Sequence, residues 1–340
     1  MTLVLAYADV HFRDTGSFIP FNRIGSNGIS LELENIIAGC RFIADKIREL
    51  KPTVVFGCGD IVQTTEYQTA QVLYGISVGL GLIKNACDEV SAKHIIYLGN
   101  HDCLNEGFKI TSIGMLIGYA QIVLEPVIID VDYGCNIGIV PYTSNVGHLY
   151  ATLKSYTDQC SLVMAHADFH GCSYENNYIS QSNLECDWNC DIVAGDIHLP
   201  QTIGSVHYPG SLVQHRFYQP DLSRIGGILT YDIESKKITR YPNTYSRHYV
   251  RVRDIQQLQF LPKDKCVIQV VMPHPKEEIE KYMEGYEWMY VREVQGNQMT
   301  PMYSEFNILP PETILRSYIL ENRPQALDEF DSVIKEKVGG

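Results

Sequence analysis

The chain has 340 residues, of which 45% are hydrophobic and 20% are charged, so it can bury a sizeable core within one large domain or two. This composition excludes a disordered, collagen-like or coiled-coil protein. The formal net charge is −13, and neither 1–250 nor 251–340 has the excess of Lys and Arg that a stand-alone nucleic-acid-binding domain usually shows. If the chain acts on nucleic acid, bound metal, a local basic patch or a partner must help to hold the polyanion.

The ten cysteines are scattered along the chain, which is typical of a reduced intracellular protein rather than a disulfide scaffold. Cys186 and Cys190 form the closest pair, but no second pair accompanies them, so core or loop cysteines are a better interpretation than a zinc site. The N-terminal segment lacks the basic region of a signal peptide, and no apolar run reaches the ~18 residues of a membrane helix. We therefore predict a cytoplasmic protein with no membrane contact.

Short apolar runs alternate with helical patterns over roughly the first 200 residues. The predicted strands are 3–8, 54–58, 94–98, 136–140, 162–165 and 192–194, and the predicted helices are 31–50, 66–89 and 147–157. This alternation predicts α/β layers around a mainly parallel sheet, followed by an all-β run at about 204–245.

A second, smaller unit is predicted to begin near Arg247. Its expected strands are 248–253, 266–272 and 287–293, with a helix at 275–285. Pro310 and Pro311 then open a helical segment. We therefore divide the chain into domains at 1–246 and 247–309 and a C-terminal segment at 310–340.

Polar side chains follow five of the predicted strands. They are Asp9 and His11, then Asp60, then Asn100, His101 and Asp102, then His166, and finally Asp196 and His198. In α/β sheets, ligands collect at the carboxyl ends of strands. Carboxylate, imidazole and amide groups together suit two divalent ions such as manganese better than a soft thiolate site would. Two ions about 3.5–4 Å apart and bridged by a carboxylate can promote attack of hydroxide on a phosphate.

Each of these motifs, taken singly, also fits a purely structural role. A DxH or GD sequence after a strand often forms a turn or a cap, and a lone histidine such as His166 often lies satisfied in a core. All five motifs occur in order and at strand ends, which favours a metal site.

These motifs resemble those of a known family. DxH, GD, GNHD, a later His and a final GxxH are the ordered motifs of the calcineurin-like metallophosphoesterases. The YPGSL sequence at 208–212, followed by Phe217, is similar to the SbcD nucleases, the catalytic partners of SbcC-type ATPases in DNA end processing. The resemblance covers about 1–245, and 310–320 is similar to the region after the SbcD cap. It implies a four-layer α/β fold, with two sheets face to face between helices, and a smaller α/β capping domain.

The resemblance also implies roles for the polar residues. The first metal would be held by Asp9, His11 and His198, the second by Asn100 and His166, and both by Asp60. His101 would orient the phosphate and protonate or stabilise the leaving oxygen, and Asp102 would orient His101.

Two positions depart from the family pattern. Asp196 stands where the family usually has a histidine ligand of the second metal. A carboxylate still binds manganese or magnesium, but it adds negative charge and can change the metal preference of that site. The family often has an acidic residue after Asp60, whereas this chain continues Ile61-Val62-Gln63.

Four further residues are candidate substrate contacts. Arg251 and Arg253 alternate on a predicted strand, where they could meet DNA phosphates or form a solvated face. Arg13 precedes a long polar loop that could cover the site or be an ordinary surface loop. His215 lies just after the YPGSL sequence and could line the site.

The resemblance predicts a manganese-dependent DNA exo/endonuclease that cleaves phosphodiester bonds at DNA ends, acts with an SbcC-like ATPase and forms a homodimer. The C-terminal segment could contact that ATPase or pack on the chain's own core. Two alternatives stay open: a phosphatase or phosphodiesterase for small substrates, and a non-catalytic DNA-binding scaffold, for which Asp196 is the one supporting feature.

Overall fold

The computed structural model describes residues 2–14, 24–25, 28–103, 111–131, 134–217, 224–263, 266–272 and 276–292. The strands are β1 Leu3–Tyr7, β2 Val54–Gly57, β3 Lys93–Tyr97, β4 Gln121–Val123, β5 Val127–Asp130, β6 Asn136–Val140, β7 Leu162–His166, β8 Ile192–Gly195, β9 Gln201–Ile203, β10 Val206–Tyr208, β11 Gly227–Asp232, β12 Lys237–Pro242, β13 His248–Val252, β14 Cys266–Met272 and β15 Glu287–Arg292. The α-helices are α1 Leu31–Leu50, α2 Ala70–Val90, α3 Val146–Thr157 and α4 Lys276–Glu280.

Two six-stranded sheets organise residues 2–242. The first has the order β12-β11-β1-β2-β3-β4, and the second has the order β5-β6-β7-β8-β10-β9. Strands β1 to β4 run parallel, whereas β11 and β12 pair antiparallel. The second sheet is parallel from β6 to β10 and has antiparallel edges at β5 and β9. The predicted α/β class is confirmed, and both sheets are mixed.

The two sheets pack against each other through apolar side chains. Val4, Phe56 and Tyr97 of the first sheet share one buried cluster with Ile139 and Met164 of the second. Central strands are buried on both faces because other layers cover them, which is why they read as continuous apolar runs.

Helices cover the outer face of each sheet. In the first sheet, alternate residues such as Leu5 and Tyr7 point away from the second sheet and pack with α1 and α2. In the second sheet, Val163 packs with Leu149 and Leu153 of α3. The layer order is therefore helix, sheet, sheet, helix.

The predicted second unit contains a separate sheet. Strands β13, β14 and β15 are all parallel and enclose their own apolar cluster with α4. Its strands and helix agree with the sequence prediction to within a few residues, except that α4 is shorter. The proposed domain boundaries stay predictions, and the segment 310–340 lies outside the described residues. Among the described helices, none combines the length and apolarity needed to cross a membrane.

Candidate metal centre

The polar strand ends of both sheets meet at one place. Loops after β1, β2 and β3 approach loops after β7 and β8, because the two sheets are stacked. All seven predicted metal ligands belong to this cluster: Asp9, His11, Asp60, Asn100, His166, Asp196 and His198. The cluster has two halves that share Asp60.

The first half contains imidazoles that face one another. His11 Nε2 lies 3.3 Å from His198 Nε2 and 3.6 Å from Asp60 Oδ2. His198 Nδ1 donates to Glu175 Oε1 at 3.0 Å, so Nε2 is the nitrogen that His198 turns toward the cluster. Burial lowers the pKa of His198, but its bond to Glu175 and the charge of Asp9 raise it above the usual value.

The second half surrounds His166. Its Nδ1 donates to the carbonyl of Cys58 at 2.7 Å, and its Nε2 lies 3.0 Å from Asn100 Oδ1, 3.5 Å from Asp60 Oδ1 and 3.8 Å from Asp196 Oδ1. Burial lowers the pKa of His166, but the carboxylates of Asp60, Asp196 and Asp9 outweigh burial and raise it to about 9. In the metal-free chain, these carboxylates therefore favour a proton on Nε2 of His166. Nε2 faces three oxygen atoms that could also hold a cation, namely those of Asn100, Asp60 and Asp196.

Asp9 supplies an independent test of whether metal fits. Its Oδ1 accepts a bond from the amide of Asp196 at 3.1 Å, whereas its Oδ2 is buried without a hydrogen-bond partner. His11 Nδ1 is likewise buried and unpartnered. Burial raises the pKa of Asp9 to about 7 and also raises the pKa of Asp196. Buried acidic groups with missing partners fit divalent cations, which supply both charge and ligand bonds.

The backbone is strained at four of the clustered residues. Asp9, His11, Asp60 and Asp196 have φ values of 51°, 47°, 52° and 92°, a region that non-glycine residues rarely adopt. Such strain persists only where the surrounding structure holds it, and it clusters at functional sites. Gly59 has φ +83°, and a Cβ there would collide with His166 Nδ1 and with the backbone of Gly99.

The YPGSL sequence forms hydrogen bonds with the loops that carry His166 and His198. The hydroxyl of Tyr208 donates to the carbonyl of Ala167 at 3.0 Å and accepts from the amide of Phe169 at 3.1 Å, so it fixes the loop after His166. The amide of Ser211 donates to the carbonyl of His198 at 3.0 Å. The sequence thus braces the loops that carry two candidate ligands.

Asp102 acts differently from the role that the resemblance implies. Its carboxylate accepts bonds from the amides of Gly99 at 2.9 Å and Asp60 at 2.8 Å, and also from two amides after Asp60. The His101 ring is instead held by Nδ1 donating to the carbonyl of Gln63 at 2.8 Å. Asp102 therefore fixes the two loops against each other and does not touch the His101 ring. Burial raises the pKa of Asp102 to about 7.

His101 stands at the edge of the first half. Its ring centroid lies 4.7 Å from that of His11, edge to face, and its amide donates to Asp60 Oδ1 at 2.9 Å. Because Nδ1 is occupied by Gln63, Nε2 is the nitrogen available to a ligand. This agrees with a group that contacts substrate beside the cluster.

Arg13 lies beside the cluster and contacts Glu32 and His215. The guanidinium is buried in an ion pair with Glu32, and its Nη1 lies 2.5 Å from His215 Nδ1. The predicted substrate contact of Arg13 stays a prediction, and the structure adds that the guanidinium is already paired with a buried carboxylate. Most of the polar loop after Arg13 lies outside the described residues.

His215 does line the cluster. Its ring centroid lies 4.8 Å from that of His11 and 4.5 Å from that of His198. Burial lowers its pKa far below the usual value, the charge of Arg13 adds to that shift, and the carbonyl of Asp9 opposes it.

The two predicted strand arginines lie on the third sheet. Arg251 is half-buried and its Nε donates to Gln269 Oε1 on β14 at 2.6 Å. Arg253 is exposed just beyond the end of β13. Among the contacts of the described residues, neither arginine reaches the cluster, so their role in binding substrate stays a prediction.

Sequence reasoning missed Glu175, Glu32 and the carbonyl of Gln63. Glu175 lies in a loop without a motif, and Glu32 lies in the first turn of α1, where an acidic residue is ordinary. No sequence signal marks them, since their partners are distant in the chain.

The chain matches no protein-family model, and no curated protein is significantly similar to it. What points to a function is therefore the chemistry of the cluster and the motifs that form it.

Proposed function

We propose that this chain is a dinuclear-metal DNA exo/endonuclease that hydrolyses phosphodiester bonds at DNA ends. One observation carries the proposal: the two oxygens of Asp60 face different histidines, Oδ2 toward His11 at 3.6 Å and Oδ1 toward His166 at 3.5 Å. A carboxylate shared in this way between two groups of ligands is the arrangement that two-metal phosphate chemistry uses.

The narrower assignment is an SbcD-like nuclease of the calcineurin-like metallophosphoesterases. The order of the motifs, the layer order of helix, sheet, sheet and helix, and the YPGSL sequence all favour it. A DNA substrate is favoured over a small phosphate because the YPGSL sequence and a second unit with its own sheet accompany the motifs.

Two divalent ions, most simply Mn²⁺ with Mg²⁺ as the alternative, would be held by this cluster. By the resemblance, Asp9, His11 and His198 would hold the first, Asn100, His166 and Asp196 the second, and Asp60 both. Asp9 also lies close to Asp60 and His166. When bound, such ions supply Lewis acidity at the phosphate and lower the pKa of the attacking water.

The chain's own groups then act on the leaving oxygen. Nδ1 of His101 donates to the carbonyl of Gln63. The protonated form of His101 therefore carries its second ring proton on Nε2, which faces away from Gln63. As the oxygen of water bonds to phosphorus and its proton passes to solvent, the P–O bond breaks and the departing oxygen takes the proton from Nε2 of His101.

The acidic chain would need help to hold DNA. With a net charge of −13, attraction to phosphate would come from the bound metals and from an SbcC-like ATPase partner. Assembly as a homodimer belongs to the same proposal.

The test is cleavage of end-labelled linear and hairpin DNA by the purified chain in Mn²⁺, with His101→Ala beside the wild type. We expect cleavage by the wild type and a loss of about 100-fold or more in the variant, the usual effect of removing a general acid. Manganese binding measured by calorimetry should be unchanged in His101→Ala, because the proposal gives His101 the leaving oxygen rather than a metal, and loss of a manganese ion would instead make His101 a ligand with His11 and Asp60.

Other outcomes favour the alternatives. Rapid hydrolysis of a small phosphomonoester without DNA cleavage would favour a small-substrate phosphatase. DNA binding without metal binding or cleavage, even with a cognate ATPase present, would favour a scaffold.

A further inference from the structure

His215 leaves one ring nitrogen without a partner beside the candidate metal centre. A ring nitrogen of His215 lies within 4.8 Å of ring nitrogens of His11 and His198. Its Nε2 is buried and has no partner at normal hydrogen-bond geometry, and the carbonyl of Asp9 is the backbone acceptor that raises the pKa of the ring. Such a nitrogen has two uses: as a lone-pair ligand for a metal, or as an N–H donor for a bound anion.

The contact with Arg13 determines which nitrogen of His215 carries the proton. A guanidinium has only donors, so at 2.5 Å from His215 Nδ1 it must donate and that nitrogen must accept. A neutral imidazole carries one proton, which then has to be on Nε2. The nitrogen left for the centre is therefore an N–H donor rather than a metal ligand.

A buried chain of polar contacts holds Arg13 in this position. Glu32 is buried and pairs with Arg13 through Oε1, and its Oε2 accepts from the hydroxyl of Tyr249 at 2.6 Å. Tyr249 belongs to β13, and its own amide donates to Gln214 Oε1 at 2.7 Å, one residue before His215. The third sheet thus supports His215 from two directions.

We propose that His215 donates a hydrogen bond from Nε2 to a phosphate oxygen of the bound substrate or product, and that Arg13 is the positioning residue that sets its tautomer. This inference rests on the proposed function, since it supposes that a phosphate occupies the metal centre. The ligand class is a nucleotide phosphate monoester or diester.

The decisive comparison uses His215→Phe and His215→Gln in the full-length chain, with His148→Gln on the exposed face of α3 as the matched control. Calorimetry measures binding of Mn²⁺ alone, and then binding of thymidine 5′-monophosphate to the manganese-loaded chain. We expect His215→Phe to weaken nucleotide binding about tenfold, because a hydrogen bond to a charged group is lost. His215→Gln keeps an N–H donor and should recover part of the affinity.

Manganese affinity and stoichiometry should stay within about twofold of the wild type in both His215 variants, because a protonated nitrogen does not bind metal. Loss of a manganese ion in His215→Phe would overturn the proposal and make His215 a ligand. Unchanged nucleotide binding in that variant would also overturn it.

Nitrogen NMR of the metal-free, ¹⁵N-histidine-labelled chain tests the tautomer without metal or activity. We expect a pyridine-like Nδ1 and a pyrrole-like Nε2 for His215, and loss of this preference in the charge-matched pair Arg13→Met with Glu32→Gln. The opposite tautomer in the wild type would overturn the proposal. A wild type that binds manganese and nucleotide but cleaves no DNA would contradict the nuclease function alone.

Discussion

Asp196 changes the charge of the second half of the cluster. It is one of three carboxylates, with Asp9 and Asp60, that face the candidate metal positions, and it lies 3.8 Å from His166 Nε2. A histidine at this position would be neutral, so the carboxylate favours hard ions such as manganese and magnesium over softer ones.

Replacing Asp196 by Asn should weaken the second of two manganese-binding steps by about tenfold or more, because a neutral amide oxygen is a poorer ligand for a hard cation. Calorimetry with Mn²⁺ measures both steps. Asp88→Asn is the control, since Asp88 is an exposed carboxylate on α2 that pairs with Lys84. Equal loss of both steps would mean that Asp196 does not belong to one half alone.

The metal-free chain should lose stability as the pH rises from about 6.5 to 9. Burial lowers the pKa of His166, but three carboxylates raise it from 6.5 to about 9, so the folded chain holds this proton more tightly than the unfolded chain does. The resulting stability is complete below pH 6.5 and is lost as the pH passes through 9, at up to about 1.4 kcal/mol per pH unit. Urea denaturation in chelator measures it.

His166→Gln should remove this part of the slope, which separates it from other groups that titrate in the same range. Saturating manganese should also flatten the profile of the wild type, because the cation replaces the proton. A wild type whose stability rises with pH in chelator would contradict the assignment.

At the scale of elements, apolar runs and the polar residues after them could be predicted from sequence. Strands β1, β2, β3, β7 and β8 are buried on both faces, and a continuous apolar run is the signature of such strands. Strands β4 and β5 were not predicted, because they are short edge strands with partly exposed residues and lack that signature.

Turn geometry at the strand ends gives a prediction at this scale. Gly59→Ala should destabilise the chain by about 1–3 kcal/mol, because alanine is strained at φ +83° and its Cβ would collide with His166 and Gly99. Manganese affinity of the second half should fall as well, since His166 must move. Thermal and chemical denaturation with manganese titration measure both effects.

Gly81→Ala provides the control for this substitution. Gly81 lies in α2 and a Cβ there would meet nothing within 4 Å, so alanine should stabilise the chain by about 0.5–1 kcal/mol. If Gly59→Ala behaved like Gly81→Ala, the loop after β2 would have room that the structure does not give it.

At the scale of the whole molecule, contacts between distant segments could not be predicted. Motifs at strand ends predict which residues form the cluster, whereas the pairing of His198 with Glu175 or of Arg13 with Glu32 depends on how loops and helices pack. Local sequence carries no information on such partners, so the buried ion pair of Arg13 with Glu32 was not predicted.

The hydroxyl of Tyr249 should stabilise the whole molecule. Tyr249→Phe removes a buried bond to the charged Glu32 and should lower the free energy of unfolding by about 1.5–3 kcal/mol. Tyr245→Phe is the matched control, because the Tyr245 hydroxyl bonds Asp45 at the surface and its loss should cost less than about 0.5 kcal/mol. Urea denaturation measures both, and equal effects would contradict a supporting role for Tyr249.

The anchoring of residues 246–249 on α1 bears on how the chain can be cut into expression fragments. Asn35 accepts two hydrogen bonds, one at Oδ1 from the amide of Arg247 at 2.7 Å and one at its carbonyl from the hydroxyl of Ser246 at 3.0 Å. Glu32 Oε2 accepts from the hydroxyl of Tyr249 at 2.6 Å. A fragment that ends at residue 246 would retain every candidate metal ligand but would strip Glu32 of a buried donor. Fragments designed for crystallography or assay should therefore extend through β13 and the strands that pair with it.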